Sequence, residues 1–154
     1  MIEKLLTFVR DIGISVASET LHEPTFLPGL AIRAGVLIVD MPKLLYPGDI
    51  LHEAGHIAVA DPQDRERPAF ASSDGDEIAT LAWSYAAACF LNIAPEIVFH
   101  PAGYKGGAAA LVENFTAGRT IGLPLLQFYG MALEPRIAAE RGLPPYPHMR
   151  RWVR

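Results

Sequence analysis

The chain has 154 residues, of which 51% are hydrophobic and 19% charged. It is long enough for one well-filled core and too short for two ordinary domains, so we expect one domain over residues 1–154. The net charge of −4 gives no electrostatic reason to expect nucleic acid or an anionic membrane as a partner.

The N-terminal part of the chain predicts one helix and one hairpin. Apolar residues recur at helical spacing from Ile2 to Glu19, which is typical of an amphipathic helix. Two short apolar runs lie between Leu30 and Val39, and Gly35 separates them. This pattern predicts a β-hairpin with Gly35 in its turn.

A His-Glu-x-x-His pattern then occupies residues 52–56 in an apolar setting. We expect a buried helix that starts near Pro47 to Asp49, where Asp49 can cap it, and that ends near residues 61–62. On this helix His52 and His56 lie one turn apart, so both can reach one metal ion. Glu53 lies on the flank of that face, where it can act as general base without ligating the metal. Gly55 inside the helix indicates close backbone packing or substrate approach, because glycine costs roughly 1 kcal/mol there relative to alanine.

With these residues, the stretch from Val36 to Leu91 resembles the zincin superfamily of zinc metallopeptidases. It is similar to the glutamate-liganded branch, the gluzincins, and among small proteins to the ImmA/IrrE-type domains. The shared pattern is a short strand, a connecting segment, the motif helix and a second helix that bears the third ligand. The resemblance implies an α+β fold, a zincin-like domain that is mostly helical with a short β-hairpin or small sheet before the motif helix. It also implies Zn²⁺ as cofactor, a peptide or protein substrate, and an edge for that substrate on the strand Val36 to Val39.

The second helix is predicted from Asp74 to Leu91, and the resemblance points to Glu77 as the third ligand. Asp76 and Asp74 compete for this role, but the longer side chain of Glu77 crosses an interhelical gap more readily. In the alternative, Asp74 caps the helix and Glu77 completes a capping box with backbone instead of binding metal. Larger gluzincins often carry an aspartate four residues after the liganding glutamate, and this chain has Leu81 there. The partners that orient the two histidines are therefore not identified.

The remaining segments contain fewer sequence patterns that predict structure or function. The charged stretch from Asp61 to Ser73 is predicted to be a surface loop. Ala108 to Thr116 and Leu123 to Leu133 are predicted helices, and Leu143 to Arg154, with its three prolines, is predicted to be irregular. Candidates for stabilising an oxyanion include His100 and Tyr104, which lie in a loop rich in glycine and proline. No motif assigns that role to either residue.

The sequence also gives an expectation for the cellular location of the protein. Cys89 is the only cysteine, so an intrachain disulfide is excluded. The N-terminal residues lack the pattern of a secretory signal, and the apolar stretch from Ile78 to Leu91 is shorter than the roughly 20 residues that span a bilayer. We expect a cytoplasmic protein without membrane association.

The sequence is compatible with two main function classes. The first is a small zinc metallopeptidase with metal ligands His52, His56 and Glu77 and with Glu53 as catalytic base. The second is a non-catalytic zincin-like module that binds metal or a partner for regulation. A fortuitous motif in a helical interaction protein is a third possibility.

Overall fold

A computed structural model describes residues 1–68 and 73–154, and this part of the chain has a mixed α and β fold. A small three-stranded sheet precedes the motif helix, as predicted. The helices are α1 Ile2–Asp11, α2 Asp49–Val59, α3 Asp74–Leu91, α4 Pro95–Val98, α5 Ala108–Thr116, α6 Leu123–Phe128 and α7 Pro135–Arg141. The strands are β1 Val16–Ser18, β2 Leu30–Arg33 and β3 Val36–Val39. Among the described helices, none combines the length and the apolar character that crossing a bilayer would require.

The first helix is shorter than predicted. It ends at Asp11, and Gly13 then adopts a left-handed φ of 95° while its N–H donates to the carbonyl of Arg10. A left-handed glycine just after a helix turns the chain away from the helix axis. Val16–Ser18 therefore forms a strand that pairs in parallel with β3. The prediction of a helix through Glu19 was wrong because apolar residues continue past the glycine and strand pairing depends on distant residues.

The predicted hairpin is confirmed. β2 and β3 pair antiparallel, and the two residues between them, Ala34 and Gly35, have φ values of 49° and 77°. Two consecutive left-handed residues form the tight turn that matches the twist of paired strands. The strand order is β1-β3-β2, so β3 is the central strand and both of its edges are paired. The expectation that Val36 to Val39 offers an edge to a substrate was therefore wrong.

The motif helix α2 begins where the chain passes close to α4. Its N-cap is Gly48, and a Cβ atom there would lie 1.8 Å from the carbonyl oxygen of Ile97. No side chain fits at this crossing. The expectation that Asp49 caps the helix was wrong, because Asp49 lies inside the first turn and its carboxylate contacts His100 instead.

Helix α3, predicted from Asp74 to Leu91, has these bounds in the structure and packs tightly on α2. A Cβ atom at Gly55 would lie 2.9 Å from Cγ2 of Thr80 and 3.1 Å from Cε3 of Trp83. Both of these side chains are fully buried. Gly55 therefore serves close helix packing, one of the two roles that its position in the sequence indicates.

The C-terminal end of α2 is closed by two arginines. The guanidinium of Arg65 donates to the carbonyls of Ile57 and Ala60, at 3.0 and 3.2 Å. The backbone N–H of Arg154 donates to the carbonyl of Ala58 at 2.9 Å. The last carbonyls of a helix lack partners within the helix, and they favour nearby positive charge. These contacts fix the end of the helix that carries the two histidines.

The remaining predictions are confirmed in part. The helix Ala108–Thr116 is confirmed, whereas the helix predicted from Leu123 to Leu133 ends at Phe128, shortly before Gly130 with φ 72°. Leu143 to Arg154 is irregular, as predicted. The predicted surface loop from Asp61 to Ser73 includes residues 69–72, which lie outside the described residues.

Replacing Gly55 with alanine is expected to destabilise the protein. Better helix propensity contributes up to about 1 kcal/mol, but an extra carbon in a packed interface costs about 1–3 kcal/mol. Gly75 in the first turn of α3 is the matched control, because a Cβ atom there meets nothing closer than Ser73 Oγ at 3.8 Å. Urea denaturation should show Gly55→Ala less stable than wild type and Gly75→Ala at least as stable. A stabilised Gly55→Ala variant would contradict the close packing.

Candidate metal centre

Helix α2 presents His52, Glu53 and His56 from one part of its surface. The two imidazoles lie one helical turn apart and are buried, with 6% and 7% of their surface exposed. Their Nε2 atoms are 3.0 Å apart. One ligand atom from each of the three residues fits within 4.8 Å of the others, so the cluster could hold a metal ion. The structure thus brings together the three motif residues that the sequence pattern singles out.

Glu77, in the first turn of α3, faces the same point. Its two carboxylate oxygens lie 3.1 Å from Nε2 of His56 and 3.5 Å from Nε2 of His52. About half of the Glu77 side chain is exposed, so the cluster opens to solvent on this side. The packing of α3 on α2 brings the Glu77 carboxylate to the two histidines. The sequence alone could only suggest this position.

The capping role considered for Glu77 belongs to other residues. Ser73 is the N-cap of α3, its hydroxyl accepts from the N–H of Asp76, and the Asp76 carboxylate accepts from the N–H of Ser73. This reciprocal pair is a capping box. The alternative in which Asp74 caps the helix and Glu77 completes the box was therefore wrong, because the box lies one residue earlier. The carboxylate of Glu77 is left to face the histidines.

Two hydroxyl groups contact the far sides of the imidazoles. Oγ1 of Thr80 lies 3.3 Å from Nδ1 of His56, and the phenolic oxygen of Tyr104 lies 3.3 Å from Nδ1 of His52. The imidazole Nδ1 and Nε2 atoms lie on opposite sides of the ring, so these contacts turn both Nε2 atoms toward Glu77. Sequence reasoning missed Thr80, although it is a polar residue one turn after Glu77 in a mostly apolar helix. The contact of Tyr104 with His52 joins residues too far apart for any local pattern to indicate it.

A second buried pair lies beside the cluster. Nε2 of His100 is 2.9 Å from a carboxylate oxygen of Asp49, and both side chains are at least 90% buried. The His100 ring stacks on Tyr46 with ring centroids 4.0 Å apart. His100 and Tyr104, the two oxyanion candidates, thus both contact other protein side chains, Asp49 and His52 respectively.

Burial dominates the electrostatics of the cluster. It lowers the pKa of His52 to about 4, with a further contribution from His56. It raises the pKa of Glu53 to about 7. The hydrogen bond from His56 lowers the pKa of Glu77. Neutral His52 near pH 7 retains a lone pair on one ring nitrogen, which is the form that binds metal ions.

The spacing of the donor atoms fits a tetrahedral ion. Bonds of about 2.0–2.1 Å separate the ligand atoms of a tetrahedral zinc site by about 3.3 Å. The two Nε2 atoms are 3.0 Å apart, and each lies near a different oxygen of the Glu77 carboxylate, at 3.1 Å for His56 and 3.5 Å for His52. Two imidazole nitrogens and one carboxylate are also a donor set found in zinc enzymes.

Comparisons with protein-family models, with curated proteins and with solved structures gave no match. The described residues nevertheless form a His-Glu-x-x-His cluster of a kind that can bind a metal ion, on a helix that follows a small sheet.

The buried Asp49 and His100 pair is expected to stabilise the loop beside the cluster. Replacing His100 with alanine leaves the Asp49 carboxyl buried without its hydrogen-bond partner, and this should lower the free energy of unfolding by about 1.5–3 kcal/mol. His148, which is exposed, is the control, and His148→Ala should change stability very little. Urea denaturation in the presence of a chelator separates this effect from metal binding. Equal stability of the two variants would contradict the role of the pair.

Proposed function

We propose that this protein is a zinc-dependent hydrolase that cleaves peptide bonds, with His52, His56 and Glu77 as metal ligands and Glu53 as general base. The observation that carries the proposal is the convergence of two imidazole nitrogens and one carboxylate within 3.0–3.5 Å. Glu53 lies directly beside this point. The same arrangement is what the resemblance to zincins implies.

Zinc is the ion that this donor set favours. Nitrogen and carboxylate donors in tetrahedral spacing suit Zn²⁺, whereas Mg²⁺ and Ca²⁺ prefer six or more oxygen ligands. Three protein ligands are also the number found in catalytic zinc sites, where the fourth position stays open. The exposed side of Glu77 leaves a route from solvent to that position.

The residues of the proposed site would have separate roles in the reaction. A bound zinc ion would supply Lewis acidity, which lowers the pKa of a water molecule and polarises the scissile carbonyl. Glu53 would accept the proton of the attacking water and pass it to the leaving amine. His52 and His56 would remain neutral ligands throughout. Glu53 is suited to its role because it follows His52 directly yet projects from the flank of the ligand face.

An extended peptide is the proposed substrate. Of the three described strands, β1 and β2 lie at the edges of the sheet, and β2 packs against α2. An edge strand can bind a peptide through main-chain hydrogen bonds, and such pairing accepts many side chains. We therefore assign the substrate to β2, Leu30–Arg33, instead of the central strand β3.

A non-catalytic metal-binding module is the second candidate. It is favoured by one observation, the contacts that His100 and Tyr104 make with Asp49 and His52. In these contacts His100 directs Nε2 at Asp49, and the Tyr104 hydroxyl lies beside Nδ1 of His52, on the side of the ring away from Nε2. Neither group is directed at an oxyanion at the metal. A regulatory or interaction domain would need the metal cluster but not such a donor.

Glu77→Ala is expected to weaken zinc binding much more than Asp76→Ala. Loss of an outer-shell partner alone typically weakens metal binding 10–100-fold, so loss of a ligand should cost more than about 100-fold. Asp76→Ala should instead lower stability by about 0.5–1.5 kcal/mol, because the capping box loses the hydrogen bond that the Asp76 carboxylate accepts from the N–H of Ser73. Competition with a chelating dye and elemental analysis measure the affinity and the content, and His56→Ala serves as the reference for a lost ligand. The opposite ranking would transfer the ligand role to Asp76.

Glu53→Gln is expected to retain zinc and to lose hydrolysis. Glutamine has nearly the shape of glutamate but cannot accept the proton, and loss of a general base typically costs 10²–10⁴-fold in rate. Zinc content and cleavage of a peptide library should be measured for both proteins after zinc reconstitution. Loss of zinc from the variant would make Glu53 a ligand. Zinc in both proteins without cleavage by either would favour the non-catalytic module.

A further inference from the structure

The loop that follows α4 has an unusual backbone beside the metal cluster. Tyr104 and Lys105 have φ values of 57° and 51°, and Gly106 follows with φ 84°. Left-handed backbone is common for glycine but is strained for a bulky side chain. Such conformations persist where the surrounding structure holds them, and they concentrate at functional sites. Tyr104 is the aromatic residue in this run.

The surroundings of Tyr104 hold it in place from two sides. On one side its ring packs against Phe99, with centroids 5.3 Å apart. On the other it lies edge-on to His52 at 5.6 Å. The start of the same loop is anchored by the buried contact of His100 with Asp49. These contacts link the strained backbone directly to helix α2.

The hydroxyl of Tyr104 meets His52 on the side away from the cluster. Its oxygen lies 3.3 Å from Nδ1, while Nε2 of His52 lies 3.5 Å from Glu77. If Nδ1 carries the proton and donates it to the hydroxyl oxygen, the lone pair is on Nε2 and points toward the cluster. A hydrogen bond to the second nitrogen is the usual way in which proteins fix the tautomer and orientation of a metal-binding histidine.

We propose that Tyr104 is a positioning residue for the metal centre, whose hydroxyl accepts the Nδ1–H of His52 and holds Nε2 in the ligand direction. This inference rests on the proposed metal ligands. Thr80 has the corresponding place behind His56. Two neutral hydroxyls thus occupy positions where a carboxylate would add negative charge next to Glu53 and Glu77. The strained loop serves to bring the phenol to His52.

Tyr104→Phe tests this inference, because it removes only the hydroxyl and keeps the packed ring. Zinc affinity, measured by competition with a chelating dye, should fall about 10–100-fold, the usual effect of losing an outer-shell partner. Tyr85→Phe is the matched control, since Tyr85 is a partly buried tyrosine of α3 whose ring stacks on Phe115. The zinc affinity of Tyr85→Phe should equal that of wild type. The denaturation midpoint of metal-free Tyr104→Phe should also match that of wild type.

A spectroscopic measurement separates positioning from a merely structural role. In zinc-loaded protein with ¹⁵N-labelled histidine, the Nδ1–H of His52 should give a signal protected from exchange with solvent. Tyr104→Phe should remove that protection, whereas Tyr85→Phe should not. A structural role would lower the denaturation midpoint without changing this signal.

The contrary outcomes are distinct. Unchanged zinc affinity in Tyr104→Phe, with binding abolished in His56→Ala, would overturn the positioning role and leave the proposed metal site intact. A lower affinity that accompanies a lower metal-free midpoint and a still protected Nδ1–H would also overturn it. Zinc binding by wild type no stronger than by His56→Ala would overturn both the metal site and the role of Tyr104.

Discussion

The close approach of α2 and α3 at Gly55 is the constraint on which the candidate site depends. The missing side chain allows the methyl group of Thr80 to pack against the backbone of α2, and the hydroxyl of the same residue then reaches Nδ1 of His56. Glu77 lies one turn earlier on α3, so the same approach carries its carboxylate to Nε2 of His56. A wider separation of the helices would take Thr80 away from His56 and Glu77 away from both buried imidazoles, and buried polar groups without partners are costly.

The charges around the two buried histidines are arranged in a way that limits the free-energy cost of burying them. Isolated charges are expensive to bury, whereas neutral hydroxyls need only a hydrogen-bond partner. Glu77 keeps about half of its side chain in contact with solvent, and the groups behind the imidazoles are neutral. The two carboxylates, Glu53 and Glu77, match the charge of one divalent cation when both are ionised. In that state the cluster could hold such an ion with its charge balanced.

The ends of α2 are held by contacts with other segments of the chain. Its N-terminus passes α4 at Gly48, and its C-terminal carbonyls accept hydrogen bonds from Arg65 and Arg154. The irregular tail also supplies the carbonyl of Trp152 to Nε1–H of Trp83, a core residue of α3. The tail therefore contacts both of the helices that bear the candidate ligands. Rigid support of this kind is what a preformed metal site requires.

The sequence by itself determined the parts that depend on local pattern. The turn at Gly35, the motif helix with His52, Glu53 and His56, and the helix that begins at Asp74 are all legible from residue spacing. Only the tertiary structure decided that residues 16–18 form a strand, that Asp49 pairs with His100, and that Thr80 and Tyr104 contact the histidines. The physical reason is that periodicity and capping are set by neighbours within a few residues. Pairing and outer-shell contacts are set by packing between segments that lie far apart in the chain, and the spacing of residues carries no record of which segments will meet.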